Sequence, residues 1–205
     1  MFPTMEVRWF GEGTVPAEVW EWFHQGEQEP EGQPTRIDYY LRLPNTDSLG
    51  IKLREGRVEI KQRHRQHGVV HFHKRVAGVV EHWRKWSFQL ARLPSIVTPA
   101  PSWIGVSKER KLRRYRLTAD QVVVAVSAHE HPDQGCGLEL TNIRVAGKDW
   151  WSLGFEAFGD EAILQETLLR VAKQVLAVSE PPTLDAADSC GYPKWLEMIA
   201  PGGKA

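Results

Sequence analysis

The chain has 205 residues, and its 26 basic and 26 acidic residues give a formal net charge of zero. This balance argues against general nucleic-acid binding, and the sequence contains neither an apolar run that could cross a bilayer nor an apolar signal segment near its start. A hydrophobic content of 41% with 25% charged residues is typical of a globular protein, so we expect a single domain over residues 1–205.

The N-terminal region predicts a strand, a short helix and a loop. Residues 5–10 (MEVRWF) alternate polar and apolar side chains, as a half-buried strand does. Thr14 is placed to cap a helix over 15–24, whose buried face we expect to comprise Val15, Val19, Trp22 and Phe23. Gly, Pro and Glu dominate 26–34 (GEQEPEGQP), and this composition predicts a loop.

Nine further segments carry strand signals, mostly β-branched and aromatic residues bounded by turn residues. They are 36–42, 49–54, 57–63, 69–74, 79–90, 110–117, 121–128, 137–145 and 150–156. The hairpin-length gaps between most of them predict a closed barrel or a sandwich. A Pro-rich connection lies at 93–103.

Two helices are predicted after these strands. The first covers 160–178, with acidic residues at its start, as the helix dipole prefers. Its apolar stripe comprises Leu164, Leu168, Val171 and Val175. A second, short helix is predicted at 192–199 (YPKWLEMI).

The segment 48–63 predicts a hairpin with a polar face and an apolar face. A two-residue turn at Glu55-Gly56 sets Lys52 opposite Glu59 and Ile51 opposite Ile60. One side of this hairpin is then entirely apolar: Ile51, Leu53, Val58 and Ile60. The other side carries Lys52, Arg54, Glu59, Lys61 and Arg63. Taken alone, that side is typical of a solvated sheet face, with Lys52 and Glu59 as a cross-strand pair.

Other strands repeat this basic pattern and favour a different interpretation. Lys85 shares a strand face with Glu81 and Trp83, and four cations share one parity in the basic strand: Lys108, Arg110, Arg114 and Arg116. Cations on several neighbouring strands repel one another unless an anion or acidic groups lie among them. Because guanidinium and ammonium groups suit phosphate oxygens, the pattern predicts a binding site for a phosphate-rich anion.

The run 37–63 (IDYYLRLPNTDSLGIKLREGRVEIKQR) resembles the CYTH superfamily, the triphosphate tunnel metalloenzymes. This family includes class IV adenylate cyclases, thiamine triphosphatases and inorganic triphosphatases. Three later stretches are also similar to the family: VSKERKLRRYRL, GLELTNIRV and SCGYPKWL. The resemblance implies an α+β, mainly antiparallel fold, an eight-stranded tunnel-like barrel with a few outer helices.

The resemblance also implies site residues and a metal. Inward-facing phosphate contacts would be Lys52, Arg54, Lys61, Arg63, Lys85, Lys108, Arg110, Arg114 and Arg116. Carboxylates would hold Mg²⁺ or Mn²⁺, and the matching positions are Glu6 and Glu139. The acidic half of the motif is incomplete, because Thr4 and Thr141 stand where the family has glutamates. We therefore expect the protein to bind a small phosphate-rich anion. Hydrolysis of this anion with one divalent metal ion is left open as an additional function.

Several alternatives remain at this point. The barrel could be a non-catalytic module that binds an anionic ligand or an acidic partner protein, or a lipocalin-like barrel with an apolar interior. Tyr39, Tyr40 and Trp83 could stack on a nucleobase, although packing is the commoner role. Transition metals could use His71 with His73 or the stretch His129-Glu130-His131, but their spacing is not diagnostic. The two cysteines, Cys136 and Cys190, form no CxxC pair, which favours structural thiols in a reducing, cytoplasmic location.

Overall fold

The structure is a computed structural model that describes residues 1–25, 29–90, 102–118, 120–127, 130 and 132–199. The strands are β1 (Phe2–Glu12), β2 (Glu31–Leu41), β3 (Leu49–Arg54), β4 (Arg57–His73), β5 (Val76–Gln89), β6 (Trp103–Leu117), β7 (Val123–Val126), β8 (Gly135–Val145) and β9 (Lys148–Phe158). The helices are α1 (Ala17–His24), α2 (Leu164–Ala177) and α3 (Tyr192–Ile199). No helix among these described segments has the length and apolar character that a membrane crossing needs.

Eight of the strands form a closed antiparallel barrel. Their order is β2-β3-β4-β5-β1-β9-β8-β6, and pairing of β6 with β2 closes the ring. The ninth strand, β7, pairs with the outer part of β6. The predicted α+β architecture, an eight-stranded antiparallel barrel with outer helices, is therefore confirmed.

The predicted β3–β4 hairpin has the expected register. Lys52 pairs with Glu59 and Ile51 pairs with Ile60, and the turn residues Glu55 and Gly56 have φ values of 47° and 76°. Positive φ at both central positions belongs to the tight turns whose twist matches that of antiparallel strands. The sorting of apolar and polar side chains to opposite faces of this hairpin follows directly from that register.

Some predicted boundaries are wrong. β2 begins at Glu31, inside the predicted loop, and the two predicted strands 57–63 and 69–74 are one strand, β4. α1 begins after Pro16 rather than at a Thr14 cap, and no side chain caps it. A 3₁₀ turn, Glu161–Ile163, precedes α2. Most of the Pro-rich connection lies outside the described residues.

The main hydrophobic core lies outside the barrel wall. Outward-facing side chains of β1, β8 and β9 pack there with the buried faces of α1 and α2. Leu168 and Val171 of α2 and Phe155 of β9 are fully buried in this core. Because apolar side chains take the outer wall, the alternate positions of the same strands must point into the barrel.

A second, aromatic core closes one end of the barrel. The C-terminal ends of β1 and β2 meet the beginnings of β6 and β9 there, and α3 packs across them. Trp195 stacks on Phe10 with ring centroids 4.7 Å apart, and Tyr192 stacks on Tyr40 at 5.7 Å. This plug separates the lumen from solvent at that end.

Candidate functional site

Charged side chains line the barrel lumen. The lumen contains a cavity of about 130 Å³, whose walls come from all eight barrel strands and from Tyr192 of α3. The lining residues are Glu6, Arg8, Arg36, Tyr40, Gly50, Lys52, Arg54, Glu59, Lys61, Lys85, Lys108, Arg110, Glu139, Glu156 and Tyr192. Eight of them are cationic and four are carboxylates, so the wall has an excess of positive charge.

Most of the predicted site residues lie in this lining. They are the six basic residues Lys52, Arg54, Lys61, Lys85, Lys108 and Arg110 and the two acidic residues Glu6 and Glu139. The inward direction of Lys52 and Arg54 also argues against an apolar, lipocalin-like interior. The polar face of the β3–β4 hairpin faces the lumen, not bulk solvent.

Three predicted phosphate contacts are not part of the cavity lining. Arg63 is held by Glu81 and Asp47, at 2.8 and 2.6 Å. Arg114 donates to the Glu130 carbonyl oxygen at 2.9 Å and lines a separate cavity beside α1 and α2. Arg116 is exposed where β6 pairs with β7. Arg110, Arg114 and Arg116 are at alternate positions of β6. The part of β6 that carries Arg114 and Arg116 lies beyond its pairing with β2, so these two side chains do not reach the lumen.

Six charged residues on the lumen side of the wall were not among the predicted phosphate or metal contacts: Arg8, Arg36, Asp38, Glu59, Glu81 and Glu156. Each has a signal in the sequence, because it alternates with lumen neighbours on its own strand. Arg36 and Asp38 share parity with Tyr40, and the register pairs Glu156 with Glu6. Consecutive large aromatic residues, as in Trp9-Phe10, Tyr39-Tyr40 and Trp150-Trp151, hid this alternation.

Asp38 is the buried centre of one charge cluster. Its side chain is 0% exposed and lies 3.2 Å from Arg36 and 3.3 Å from both Lys52 and Lys108. Burial alone would raise the pKa of Asp38, but the surrounding cations outweigh it and lower this pKa to about 2. One carboxylate therefore neutralises part of the charge of three cations.

The same cluster leaves two lysines poorly stabilised as ammonium ions. Burial lowers the pKa of Lys108 to about 7 and that of Lys52 to about 8, and Asp38 offsets only part of the effect. The Lys108 ammonium group also donates to the Tyr40 hydroxyl at 2.7 Å and lies 3.7 Å from the centre of the Tyr192 ring. An additional anion near these amines would favour their charged forms.

Two further carboxylates bind cations across the lumen. Glu59 lies 3.0 Å from Lys52, 3.2 Å from Arg54 and 3.7 Å from Lys85. Glu139 accepts from Arg8 and from Arg110, each at 3.0 Å through a different oxygen. Burial would raise the pKa of Glu139, yet these guanidinium groups hold it well below its usual range. Both oxygens of Glu139 are thus already paired.

Three carboxylates form a row across neighbouring strands. Glu81 of β5 is opposite Glu6 of β1, which is opposite Glu156 of β9. The Lys61 ammonium group bridges two of them, at 2.6 Å from Glu6 and 3.3 Å from Glu156. Burial and the nearby Glu6 raise the pKa of Glu81. The row therefore sets three carboxylates side by side on neighbouring strands.

The carboxylate row fits Mg²⁺ or Mn²⁺ by ligand chemistry, since both ions prefer oxygen. Glu6 and Glu156 face one point, where the Lys61 ammonium group lies. Glu139 fits less well, because Arg8 and Arg110 already occupy its two oxygens. Of the two predicted metal ligands, Glu6 is therefore better placed than Glu139, and Glu156 is the partner that the sequence did not suggest.

The lumen aromatic residues are packed rather than free. Trp83 is 0% exposed, with Lys61 and Arg63 over its ring at 5.5 and 5.8 Å. Tyr40 is buried against Tyr192. Neither Trp83 nor Tyr40 presents an open face to a nucleobase, which supports the packing interpretation for both.

Comparisons with known proteins give no family assignment. No protein-family model matches the chain, and no curated protein matches it. The functional argument therefore rests on the lumen itself.

We predict that Asp38 is required for stability. In Asp38→Asn, three buried cations lose their shared carboxylate, and the free energy of unfolding should fall by about 3 to 5 kcal/mol. Urea unfolding measures this change. Asp149→Asn is the matched control, because it breaks an exposed 3.0 Å pair with Arg144 and should change stability by about 0.5 kcal/mol at most. Equal effects of the two substitutions would contradict the role of Asp38.

Proposed function

We propose that the barrel lumen binds a phosphate-rich anion, such as tripolyphosphate or the triphosphate group of a nucleotide or of thiamine. The observation that carries this proposal is the excess of cations inside the barrel lumen, eight against four carboxylates in the cavity lining. Even with the buried Asp38 included, the positive charge is not balanced by the residues that line the site. A polyanion would supply the remaining negative charge in a place where water screens poorly.

The cations with the weakest internal pairing indicate where the anion would lie. Lys85 is 34% exposed, and its shortest pairing with a described carboxylate is 3.7 Å, to Glu59. Arg54 shares the same glutamate, and Arg36 shares Asp38 with two lysines. Guanidinium groups bind phosphate oxygens through two parallel hydrogen bonds, and ammonium groups act as point charges. We therefore assign Lys85, Arg54 and Arg36 as contacts of the bound anion.

The position of these cations favours a small ligand over an acidic partner protein. Lys52, Arg54 and Lys85 are 19 to 34% exposed and face inward, and the α3 plug covers one end of the barrel. A folded protein surface does not reach into such a lumen, whereas an extended phosphate chain does. An apolar ligand would leave the same charges unpaired in a dry site, at high cost.

We predict that tripolyphosphate binds and that the affinity depends on lumen cations. Lys85→Met and Arg54→Gln should each weaken binding about tenfold or more, because each removes a charge-assisted contact. Isothermal titration calorimetry at fixed salt measures the affinity. Lys148→Met is the control, since Lys148 is exposed and pairs with Glu12 outside the lumen. No binding by the wild type, or equal loss in the control, would contradict the proposal.

We predict that binding takes up protons and weakens as pH rises. Lys108 has a pKa of about 7 in the free protein, where it faces Asp38, Glu139, Arg8 and Arg36. A bound polyanion raises this pKa, so above pH of about 7 binding must add a proton to the amine, and the affinity falls with increasing pH. Calorimetry in buffers of different ionisation enthalpy measures the uptake.

The same experiment with Lys108→Met gives the control for proton uptake. Lys52, with a pKa of about 8, should account for the uptake that remains in this variant. An affinity that does not change with pH, together with no net proton uptake above pH of about 7, would contradict the assignment of these two amines to the anion site.

Hydrolysis is a second candidate function, and the row of carboxylates favours it. A divalent ion held by Glu6 and Glu156 would polarise a phosphoryl oxygen or activate water. Lys61 would have to give up its place between these glutamates and could then contact the phosphate chain. Arg8 and Arg110, fixed by Glu139, would remain as cationic contacts in the lumen wall.

We predict Mn²⁺- or Mg²⁺-dependent hydrolysis of tripolyphosphate that Glu156→Gln reduces about a hundredfold without weakening anion binding. Loss of this carboxylate removes a metal ligand and increases the net positive charge of the lumen. Phosphate release measures turnover. Glu12→Gln, at an exposed site, should retain wild-type activity. Tight binding by the wild type with no turnover would contradict hydrolysis and leave the binding function in place.

A further inference from the structure

A cluster of two histidines and a glutamate lies on the outer wall of the barrel, away from the lumen. It consists of His64 of β4, His82 of β5 and Glu161 of the 3₁₀ turn before α2. One nitrogen or oxygen atom from each residue lies within 4.8 Å of the other two. The His82 Nε2 atom is 3.4 Å from the Glu161 carboxylate, and the two imidazole rings are 5.2 Å apart and nearly perpendicular.

His64 lies at a β-bulge beside His82. In the β4–β5 register Arg63 pairs with Trp83 and Arg65 pairs with His82, so His64 is the additional residue between them. Such insertions bend a strand and redirect a side chain, and they are frequent beside functional sites. The bulge lies on the outward side of β4, because Arg63, the residue before it, turns inward to Glu81.

The third ligand position is also fixed locally. Asp160 caps the 3₁₀ turn by accepting from the Ala162 amide at 3.0 Å, which positions Glu161 at the beginning of the turn. Arg84 donates to the Glu161 carboxylate at 3.1 Å. This oxygen, Oε1, is also the one that faces His82. Carboxylates that bind metals commonly accept such an outer hydrogen bond, so Arg84 would orient Glu161 while the carboxylate keeps lone pairs for an ion.

The His82 side chain provides an independent sign of a missing partner. His82 is only 8% exposed, and its buried Nε2 atom makes no hydrogen bond with any of the described residues. A buried polar atom without a partner is costly, and native structures rarely keep one without a reason. This nitrogen is the atom that faces Glu161.

We propose that His64, His82 and Glu161 bind a zinc ion. Imidazole nitrogens with one carboxylate suit Zn²⁺, whereas Mg²⁺ prefers oxygen ligands only, so this site and the lumen differ in metal preference. Ligands of a tetrahedral zinc ion with bonds of about 2.0 Å lie about 3.3 Å apart, close to the 3.4 Å between His82 and Glu161. The exposed His64 needs only a small movement, and water would complete the coordination.

The bound ion would connect three elements that meet at this part of the wall. β4 and β5 supply the histidines, and Glu161 begins the segment that leads into α2. Since an ion that binds the folded state alone stabilises it by mass action, Zn²⁺ should raise the unfolding temperature of the chain. This role is independent of the anion site in the lumen.

Zinc titration of the metal-free, untagged full chain tests the proposal. Calorimetry should give one Zn²⁺ per chain, and zinc should raise the unfolding temperature. His64→Gln and Glu161→Gln should each weaken the affinity at least about tenfold and reduce that shift. Both positions are exposed, so these variants are expected to fold, and their stability without zinc provides the baseline. His71→Gln is the control on the same strand and should bind zinc like the wild type.

Two outcomes would overturn the proposal. One is a wild-type chain that binds no Zn²⁺ at micromolar concentrations of free ion. The other is an affinity that both variants retain, since the ion would then be held by other residues. In this second case, weaker binding in His71→Gln would assign the ion to His71 and His73 instead.

Discussion

Repulsion among cations inside a closed barrel is the constraint on which the rest of this structure depends. Eight basic side chains from several strands share one lumen, in a place where water can screen them only partly. Carboxylates reduce this cost by pairing with two or three cations each, as Asp38 and Glu59 do. The carboxylates do not remove the whole cost of burying these cations, since burial still lowers the pKa of Lys108 and Lys52. The protein thus maintains a site that a polyanion would stabilise.

The architecture makes this lumen possible by placing the hydrophobic core elsewhere. α1 and α2 cover an apolar outer wall, and α3 closes one barrel end with stacked aromatic rings. Alternation along each strand then gives the inner positions to charged residues without loss of core packing. The lumen carboxylates also divide into two groups. Asp38, Glu59 and Glu139 each pair with two or three cations, whereas Glu81, Glu6 and Glu156 lie side by side and, among the described cations, share only Lys61 and Arg63.

Much of this arrangement could be predicted from the sequence. The Glu55-Gly56 turn fixed the β3–β4 register, and with it the common face of Lys52, Arg54 and Lys61. One hairpin alone could not show whether this polar face points into the barrel or towards solvent, because both arrangements give the same alternation of polar and apolar residues. Arg114 and Arg116 alternate along β6 with Arg110 yet lie outside the lumen. The pairing with β2 ends before them, and the sequence of β6 does not show where that pairing ends. The cluster of His64, His82 and Glu161 depends on the pairing of β4 with β5 and on the turn before α2, and residues this far apart in the sequence give no local signal of it.

A crystal structure of the chain with tripolyphosphate tests the central claim most directly. The account predicts phosphate density within the barrel, in contact with Arg36, Arg54 and Lys85 and near the amines of Lys52 and Lys108. Phosphate bound only to the outer wall, with the lumen cations still paired to Asp38, Glu59 and Glu139 alone, would contradict it.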